Sequence, residues 1–184
     1  MHALDIAAKT GIRAMETIAI YWEPRIKTYG LQVATGLTLL ELVLSPEQLA
    51  QWGDRLQRLV DPAGKFRFVL LQNYRDSELK FYVVFQQKQN DSIITHFQNE
   101  IPVKAESALK VTSPVDLVYF QGPHFSERFG IANAIFSCLF RHEISILAAG
   151  LSGSSVYLVL PAGTADRAKS LLAEDFEIPQ NPDA

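Results

Sequence analysis

The pattern of hydrophobic and polar residues predicts an ordered series of strands and helices in the first half of the chain. An apolar stretch ends at Leu44. Further along the chain, alternation of apolar and polar residues predicts strands over residues 66–70 and 79–85. Directly after that stretch, Ser45-Pro-Glu-Gln has the residues of a helix N-terminus, and a helix is predicted over about residues 46–60. Within it, apolar residues recur at helical spacing, namely Leu49, Trp52, Leu56, Leu59 and Val60. The order begins as strand, helix, strand, strand.

The second half of the chain repeats the first at an offset of 78 residues. Residues 31–40 align without a gap with residues 109–118, and Thr35-Gly36 then falls on Ser113-Pro114, which predicts a turn in both copies. The later elements of the second copy are a helix from Ser126 to about residue 142, strands over 144–148 and 156–160, and a helix capped by Thr164. A helix capped by Asp91 ends the first copy. The repeat predicts two similar units.

Each repeat predicts a ferredoxin-like unit. A βαββα run with one additional strand makes a four-stranded antiparallel sheet with two helices on one face. Residues 177–179 are too short and proline-broken to supply that strand to the second unit, so a strand over 16–22 or 29–34 is expected to cross over. We predict an α+β fold of two intertwined βαββαβ units. The expected divisions are an N-terminal segment 1–36, units over 37–112 and 113–176, and a flexible tail 177–184.

Several segments of the second half resemble the last ACT domain of aspartokinases. The resemblance is carried by LVYFQGP at 117–123, RFGIA at 128–132, HEISI at 142–146 and SVYLV at 155–159. The family pattern is a strand ending in a glycine-containing loop, a helix start, a second strand and a hairpin. The tandem arrangement, with an extra strand before each copy, is similar to the regulatory part of those enzymes. The resemblance implies a regulatory ACT pair, because this chain has no room for their kinase domain.

The loop from Gly122 to Gly130 is the candidate ligand site. It precedes the predicted helix N-terminus, where free backbone amides and the helix dipole favour a carboxylate. Gly122 and Gly130 allow close backbone approach, and Arg128 can bind a carboxylate through two hydrogen bonds. A small amino acid fits these features. With the positions that the resemblance adds, the candidate ligand-binding residues are Gly122, His124, Phe125, Ser126, Arg128, Phe129, Gly130, Ile131, Ala132 and Ile146.

The same loop also allows a purely structural interpretation. Gly130 can serve close packing of a helix on the sheet, Arg128 can be a solvated surface charge, and Phe125 and Phe129 can fill a dimer interface. The equivalent loop of the first unit, after Leu44, has none of the glycines of the family, so an intact ligand loop is not expected there.

Composition and charge exclude several classes of partner. The formal net charge is −3 and the basic residues are scattered singly, which disfavours nucleic acid. No apolar run approaches the length needed to cross a bilayer, and residues 1–10 lack the apolar segment of a signal peptide. The single cysteine, Cys138, excludes an internal disulfide and reads as a buried apolar residue. We expect a cytoplasmic protein.

Catalytic chemistry finds little support in the sequence. The four histidines are not spaced as metal ligands with one another or with Cys138, and residues 152–155 read as a hairpin turn. His124 and Glu127 could form a local acid–base pair, but no nucleophile is evident beside them. We therefore predict no enzymatic activity, no metal and no cofactor.

Two functional hypotheses remain open from the sequence. The first is a homodimeric regulatory module that senses an amino acid and acts on a partner enzyme of amino acid metabolism. The second is a structural dimerisation protein whose ACT-like units have lost ligand binding. The first hypothesis is favoured by the presence of Gly122, Arg128 and Gly130 in the loop of the second unit. The second is favoured by the loop of the first unit, which lacks the glycines of the family.

Overall fold

The computed structural model describes residues 25–54, 57, 66–100, 109–123 and 125–179. Its strands are β1 (Ile26–Lys27), β2 (Gly30–Leu44), β3 (Phe68–Arg75), β4 (Glu78–Gln86), β5 (Leu109–Gln121), β6 (Ala148–Ser152), β7 (Ser155–Pro161) and β8 (Phe176–Glu177). Its α-helices are α1, described at residues 49–54 and 57, α2 (Asn90–Glu100), α3 (Ile131–Arg141) and α4 (Ala165–Asp175). Short 3-10 helices at Pro46–Gln48 and Gln87–Gln89 lead into α1 and α2.

Six strands of the described chain form one sheet in the order β3-β4-β2-β5-β7-β6, and all neighbouring strands are antiparallel. The first half places β2, β3, β4 and β5 in the strand order of a ferredoxin-like unit, together with α1 and α2. The second half does the same with β5, β6, β7 and the start of β2, together with α3 and α4. The predicted α+β fold of two βαββαβ units is confirmed.

The two longest strands, β2 and β5, each belong to both halves. Residues 30–34 of β2 pair with residues 117–121 of β5, whereas residues 37–44 of β2 pair with β4. The segment 29–34, one of the two candidates for the crossing strand, therefore lies beside the sheet of the second half. The unit boundaries proposed at 36/37 and 112/113 fall inside these strands.

The sequence repeat is visible in the pairing of β2 with β5. Leu31 lies opposite Phe120, and Leu42 lies opposite Leu109. At the offset of 78 residues, Leu109 is the equivalent of Leu31 and Phe120 the equivalent of Leu42. The two halves are thus related by an approximate two-fold axis that passes close to Gly36, where β2 has a bulge and a φ of +64°.

The sheet is folded back on itself, so that its two halves face each other. Phe68 on β3 stacks on Tyr157 of β7, with ring centroids 5.2 Å apart, and Phe68 also lies against Gly150 of β6. Five strand spacings separate β3 from β6, so the two strands would lie about 24 Å apart in a flat sheet and could not make this contact. The apolar layer between the half-sheets includes Leu37, Leu39, Val84, Val115, Leu117 and Val159.

The outer faces of the half-sheets are covered by the helices. In the first half, Trp52 of α1 and Phe97 of α2 stack with ring centroids 5.1 Å apart, over a cluster that includes Leu40, Phe81 and Phe85. In the second half, Ile135 of α3 and Leu172 of α4 pack against the strands within the other cluster. The described residues therefore form four layers, with helices outside and the half-sheets inside.

Three local predictions differ from the structure. The helix predicted from Ser126 begins at Ile131, because turns occupy the intervening residues. The strand predicted over 144–148 begins at Ala148 instead and runs to Ser152. The predicted turn at Thr35-Gly36 is a bulge within the continuous strand β2, and Ser113-Pro114 likewise lies inside β5, because the long β2–β5 ladder runs through both positions.

Some predictions fall outside the described residues. These are the strand over 16–22, residues 55–56 and 58–60 of the first predicted helix, and residues 180–184 of the predicted tail. At the other end, residues 176–177 form the short strand β8, which pairs in parallel with β1. Among the described helices, none has the length and apolar character required to cross a membrane.

Candidate functional site

The loop between β5 and α3 starts with a tightly packed glycine. The Gly122 amide donates a hydrogen bond to the Ser154 carbonyl oxygen, 3.1 Å away. A Cβ atom at this position would overlap the Phe125 ring and lie 2.7 Å from the Lys27 carbonyl oxygen. Gly122 is therefore required by the packing of this chain. His124, a candidate binding residue, lies outside the described residues.

Phe125 is a core residue of the second half. Only 8% of its surface is exposed, and its ring makes edge contacts with Phe120 and Phe176, at centroid distances of 5.9 and 6.2 Å. The prediction that Phe125 offers surface for association is wrong, because its ring fills the interior below the loop. Phe129, in contrast, is 99% exposed.

The first turn of α3 is open to the outside. Gly130 is the N-cap with a φ of +89°, no side chain caps the helix, and the Gly130 carbonyl oxygen accepts the Ala134 amide at 2.9 Å. A Cβ on Gly130 would meet nothing within 4 Å. Exposed amides in the first turn of a helix, together with the dipole, favour an anionic group. The N-cap residue of this helix is Gly130, four residues after the predicted N-cap Ser126.

The remaining candidate residues are distributed around this helix start. Ser126 and Ala132 are exposed, Ile131 is buried in the core, and Ile146 is half-buried against the same core. Arg128 is half-buried and lines a cleft of about 480 Å³ along the side of α3. The other residues of this cleft are Ile26, Asn133, Ala134, Ser137, Arg141 and Asp175. Gly130 and Ala132 are thus exposed and Arg128 lines the cleft, whereas Phe125 and Ile131 are turned inward.

The equivalent loop of the first half closes on itself. The Ser45 amide donates to Gln48 Oε1 at 2.9 Å, and the Gln48 amide donates to the Ser45 carbonyl oxygen at 3.0 Å. The first bond is the Gln48 half of the capping arrangement predicted for this helix start, and the second is the backbone bond of the 3-10 turn. The amide of Ser45 is therefore used internally, as expected for a loop that lacks the glycines of the second half.

Sequence reasoning missed a charged group inside the first half. Glu41 on β2 is 7% exposed, and its carboxylate oxygens lie 2.8 Å from Lys80 Nζ and 3.0 Å from Lys110 Nζ. Burial acts to raise the pKa of Glu41, but the hydrogen bonds and charges of the two lysines outweigh it and hold that pKa below its usual range. Elsewhere, burial raises the pKa of the Cys138 thiol, consistent with an unreactive side chain. No cluster of three metal-ligating residues occurs among the described residues.

Solved structures with a similar fold include regulatory subunits of aspartate kinases. The ligand-free regulatory subunit from Thermus thermophilus aligns with a TM-score of 0.67 at 12% identity, over 82% of this chain and 99% of that chain. The regulatory subunit from Thermus flavus aligns with a TM-score of 0.65 at 13% identity, over 80% and 97%. The aspartate kinase of Synechocystis gives 0.69 at 15%, over 84% of this chain and 28% of that one.

No protein-family model and no curated protein matches the sequence. At identities of this size, the structural likeness establishes the fold alone. The resemblance to a tandem ACT pair, noted from the sequence, is confirmed at that level.

Proposed function

We propose that this protein is a non-catalytic regulatory module that binds an amino acid at the start of α3. It acts in the cytoplasm as a homodimer and controls a partner enzyme of amino acid metabolism. The proposal draws on the shared fold with the regulatory subunits of aspartate kinases. The observation that carries it is the first turn of α3, which no side chain caps at Gly130, with Arg128 two residues before that position in the sequence.

The chemistry of an amino acid complements this surface. Its carboxylate would accept hydrogen bonds from the first-turn amides, which no side chain caps, and would gain from the positive end of the helix dipole. The Arg128 guanidinium would add a second positive group. Asp175, which lines the same cleft, would face the ammonium group. The binding residues proposed here are accordingly Ser126, Arg128, Gly130 and Ala132.

The alternative is a structural dimerisation protein that has lost ligand binding. The tight packing of Phe125 on Gly122 favours this alternative. Packing of the core is sufficient to explain both residues, so neither one requires a ligand. Exposed rings on α3 and just before it would supply the surface for association: Phe129 is 99%, Phe140 83% and Phe136 38% exposed. Both functions include a dimer, and only the first requires a ligand.

A thermal-unfolding screen against the twenty amino acids separates the two functions. A ligand at 100 times its dissociation constant should stabilise the fold by about 2.7 kcal/mol. Absence of a shift with every amino acid would refute ligand sensing and leave the structural alternative.

The location of the site is tested by calorimetry on Gly130→Asn and Arg128→Ala. Asparagine tolerates positive φ, so Gly130→Asn should fold while its side chain obstructs the first-turn amides. Binding should weaken by about tenfold or more in Gly130→Asn, and less in Arg128→Ala. The matched control is Gly36→Asn, at another open position with positive φ, which should bind normally. Unchanged affinity in folded Gly130→Asn would remove the site from this loop.

A further inference from the structure

The layer between the half-sheets ends differently in the two halves of the molecule. In the first half, Glu41 with its two lysines occupies the face of β2 that carries Leu37 and Leu39. By the two-fold relation, the pair Glu41 and Lys110 is equivalent to the pair Tyr119 and Gln32, which lie opposite each other at the other end of the ladder. At that end there is an open cleft instead of an ion cluster.

This cleft lies where β3 crosses the sheet of the second half. It has a volume of about 530 Å³ and is lined by Gln32, Val33, Ala34, Arg67, Leu117, Tyr119 and Tyr157. A second cleft of about 360 Å³ adjoins it and shares Arg67 and Tyr157. Ligand pockets for small organic molecules have volumes of roughly 300–1,000 Å³. The size and the mixture of apolar and polar groups suit a small molecule.

The walls of the cleft combine aromatic rings with one cation. Tyr119 and Tyr157 lie with ring centroids 4.7 Å apart at 33°, and Phe68 also stacks on Tyr157. Burial, followed by the neighbouring Tyr119, raises the pKa of Tyr157, so its hydroxyl stays protonated. The Arg67 side chain makes no hydrogen bond or ion pair to any part of the chain that the structure describes, although its backbone amide is bonded to Val84.

We propose that this cleft binds a small aromatic carboxylate. The carboxylate pairs with the Arg67 guanidinium, the ring packs against Tyr119 and Tyr157, and the Gln32 amide supplies a further polar contact. A guanidinium recognises a carboxylate through two parallel hydrogen bonds, and tyrosine rings accept a flat ring at low conformational cost. This site is separate from the α3 loop and independent of the function proposed for it.

The probe for this proposal is phenylacetate, titrated into the full chain with calorimetry and amide NMR shifts as readouts. Shifts are expected at Gln32, Arg67, Tyr119 and Tyr157. Neutral phenylacetamide should bind about tenfold more weakly or worse, because it lacks the charge for Arg67. Arg67→Gln should weaken phenylacetate binding to a similar extent and keep the fold, since this side chain is exposed.

The matched control is Arg75→Gln, which removes an exposed arginine from the last position of β3, whereas Arg67 directly precedes that strand; this variant should leave binding unchanged. Gly130→Asn should also leave it unchanged, which distinguishes this site from the α3 loop. The proposal is overturned if millimolar phenylacetate causes no shifts at the cleft, or if folded Arg67→Gln binds as well as the wild type.

Discussion

The carboxylate of Asp116 on β5 accepts a hydrogen bond from the backbone amide of Gly163, with the two atoms 2.7 Å apart. The same oxygen accepts the Ala165 amide at 3.3 Å, in the first turn of α4. Thr164, the N-cap residue, makes no cap bond of its own, and its hydroxyl donates to the Pro161 carbonyl oxygen. A buried residue of a neighbouring strand therefore caps this helix.

Replacing Asp116 by Ala should destabilise the protein by about 2–3 kcal/mol, because buried amide groups lose their acceptor. Urea unfolding followed by circular dichroism measures the change. Asp166→Ala, at an exposed position in the same helix, is the control and should cost less than about 1 kcal/mol. Equal effects of the two substitutions would contradict the capping role of Asp116.

Gly122→Ala should destabilise the fold by about 1–3 kcal/mol, because the new methyl group collides with the Phe125 ring and the Lys27 carbonyl oxygen. Gly53→Ala is the matched comparison. Gly53 lies in α1 with nothing within 4 Å of a new Cβ, so alanine should stabilise the helix by about 0.5–1 kcal/mol. Changes of the same sign in the two unfolding free energies would show that the loop packing is looser than described.

The Glu41 cluster should make stability depend on pH. Since the pKa of Glu41 is lowered in the folded state, its contribution is complete above the unfolded value of about 4.5 and is lost as the pH falls through the lower folded pKa. Glu41→Gln should cost about 1–2 kcal/mol at neutral pH. The difference in unfolding free energy between wild type and Glu41→Gln, measured from pH 7 to pH 3, should shrink only below about 4.5. A constant difference across that range would exclude ionisation of Glu41 as the cause.

The exposed phenylalanines on α3 and just before it should matter for association and not for folding. Phe129→Ser and Phe140→Ser together remove ring surface that is 99% and 83% exposed, so the unfolding free energy should change by less than about 1 kcal/mol. Light scattering should show a dimer for the wild type and a shift to monomer for the double variant. A wild type that is monomeric at micromolar concentration would remove the support for a homodimer.

The order of elements and the ferredoxin-like units could be predicted from the sequence. Both depend on the spacing of apolar and polar residues within each segment, which is a local property of the sequence. The bulge at Gly36 could not. A Thr-Gly pair has the same local signal whether the chain turns or continues, and only the pairing of residues 30–34 with β5 decides between them. That partner lies far away in the sequence.

The start of α3 was misplaced for a related reason. Ser126 is a favourable N-cap residue, and nothing local distinguishes it from Gly130. What excludes an earlier start is the packing of Phe125 against Phe120 and Phe176, a requirement that involves three separate elements. The Arg67 cleft was equally hidden, because it exists only when the sheet folds back and brings β3 over β7.

The sharing of β2 and β5 between the halves also governs how the chain can fold. Neither half has a complete set of strands until residues 30–44 have found residues 109–121, and that contact closes a very long loop. The chain therefore has high contact order and should fold slowly, in a single cooperative transition seen alike by the probes of either half. A fragment cut between α2 and β5 would not yield two independent domains. Any ligand that stabilises one half would raise the unfolding midpoint of both.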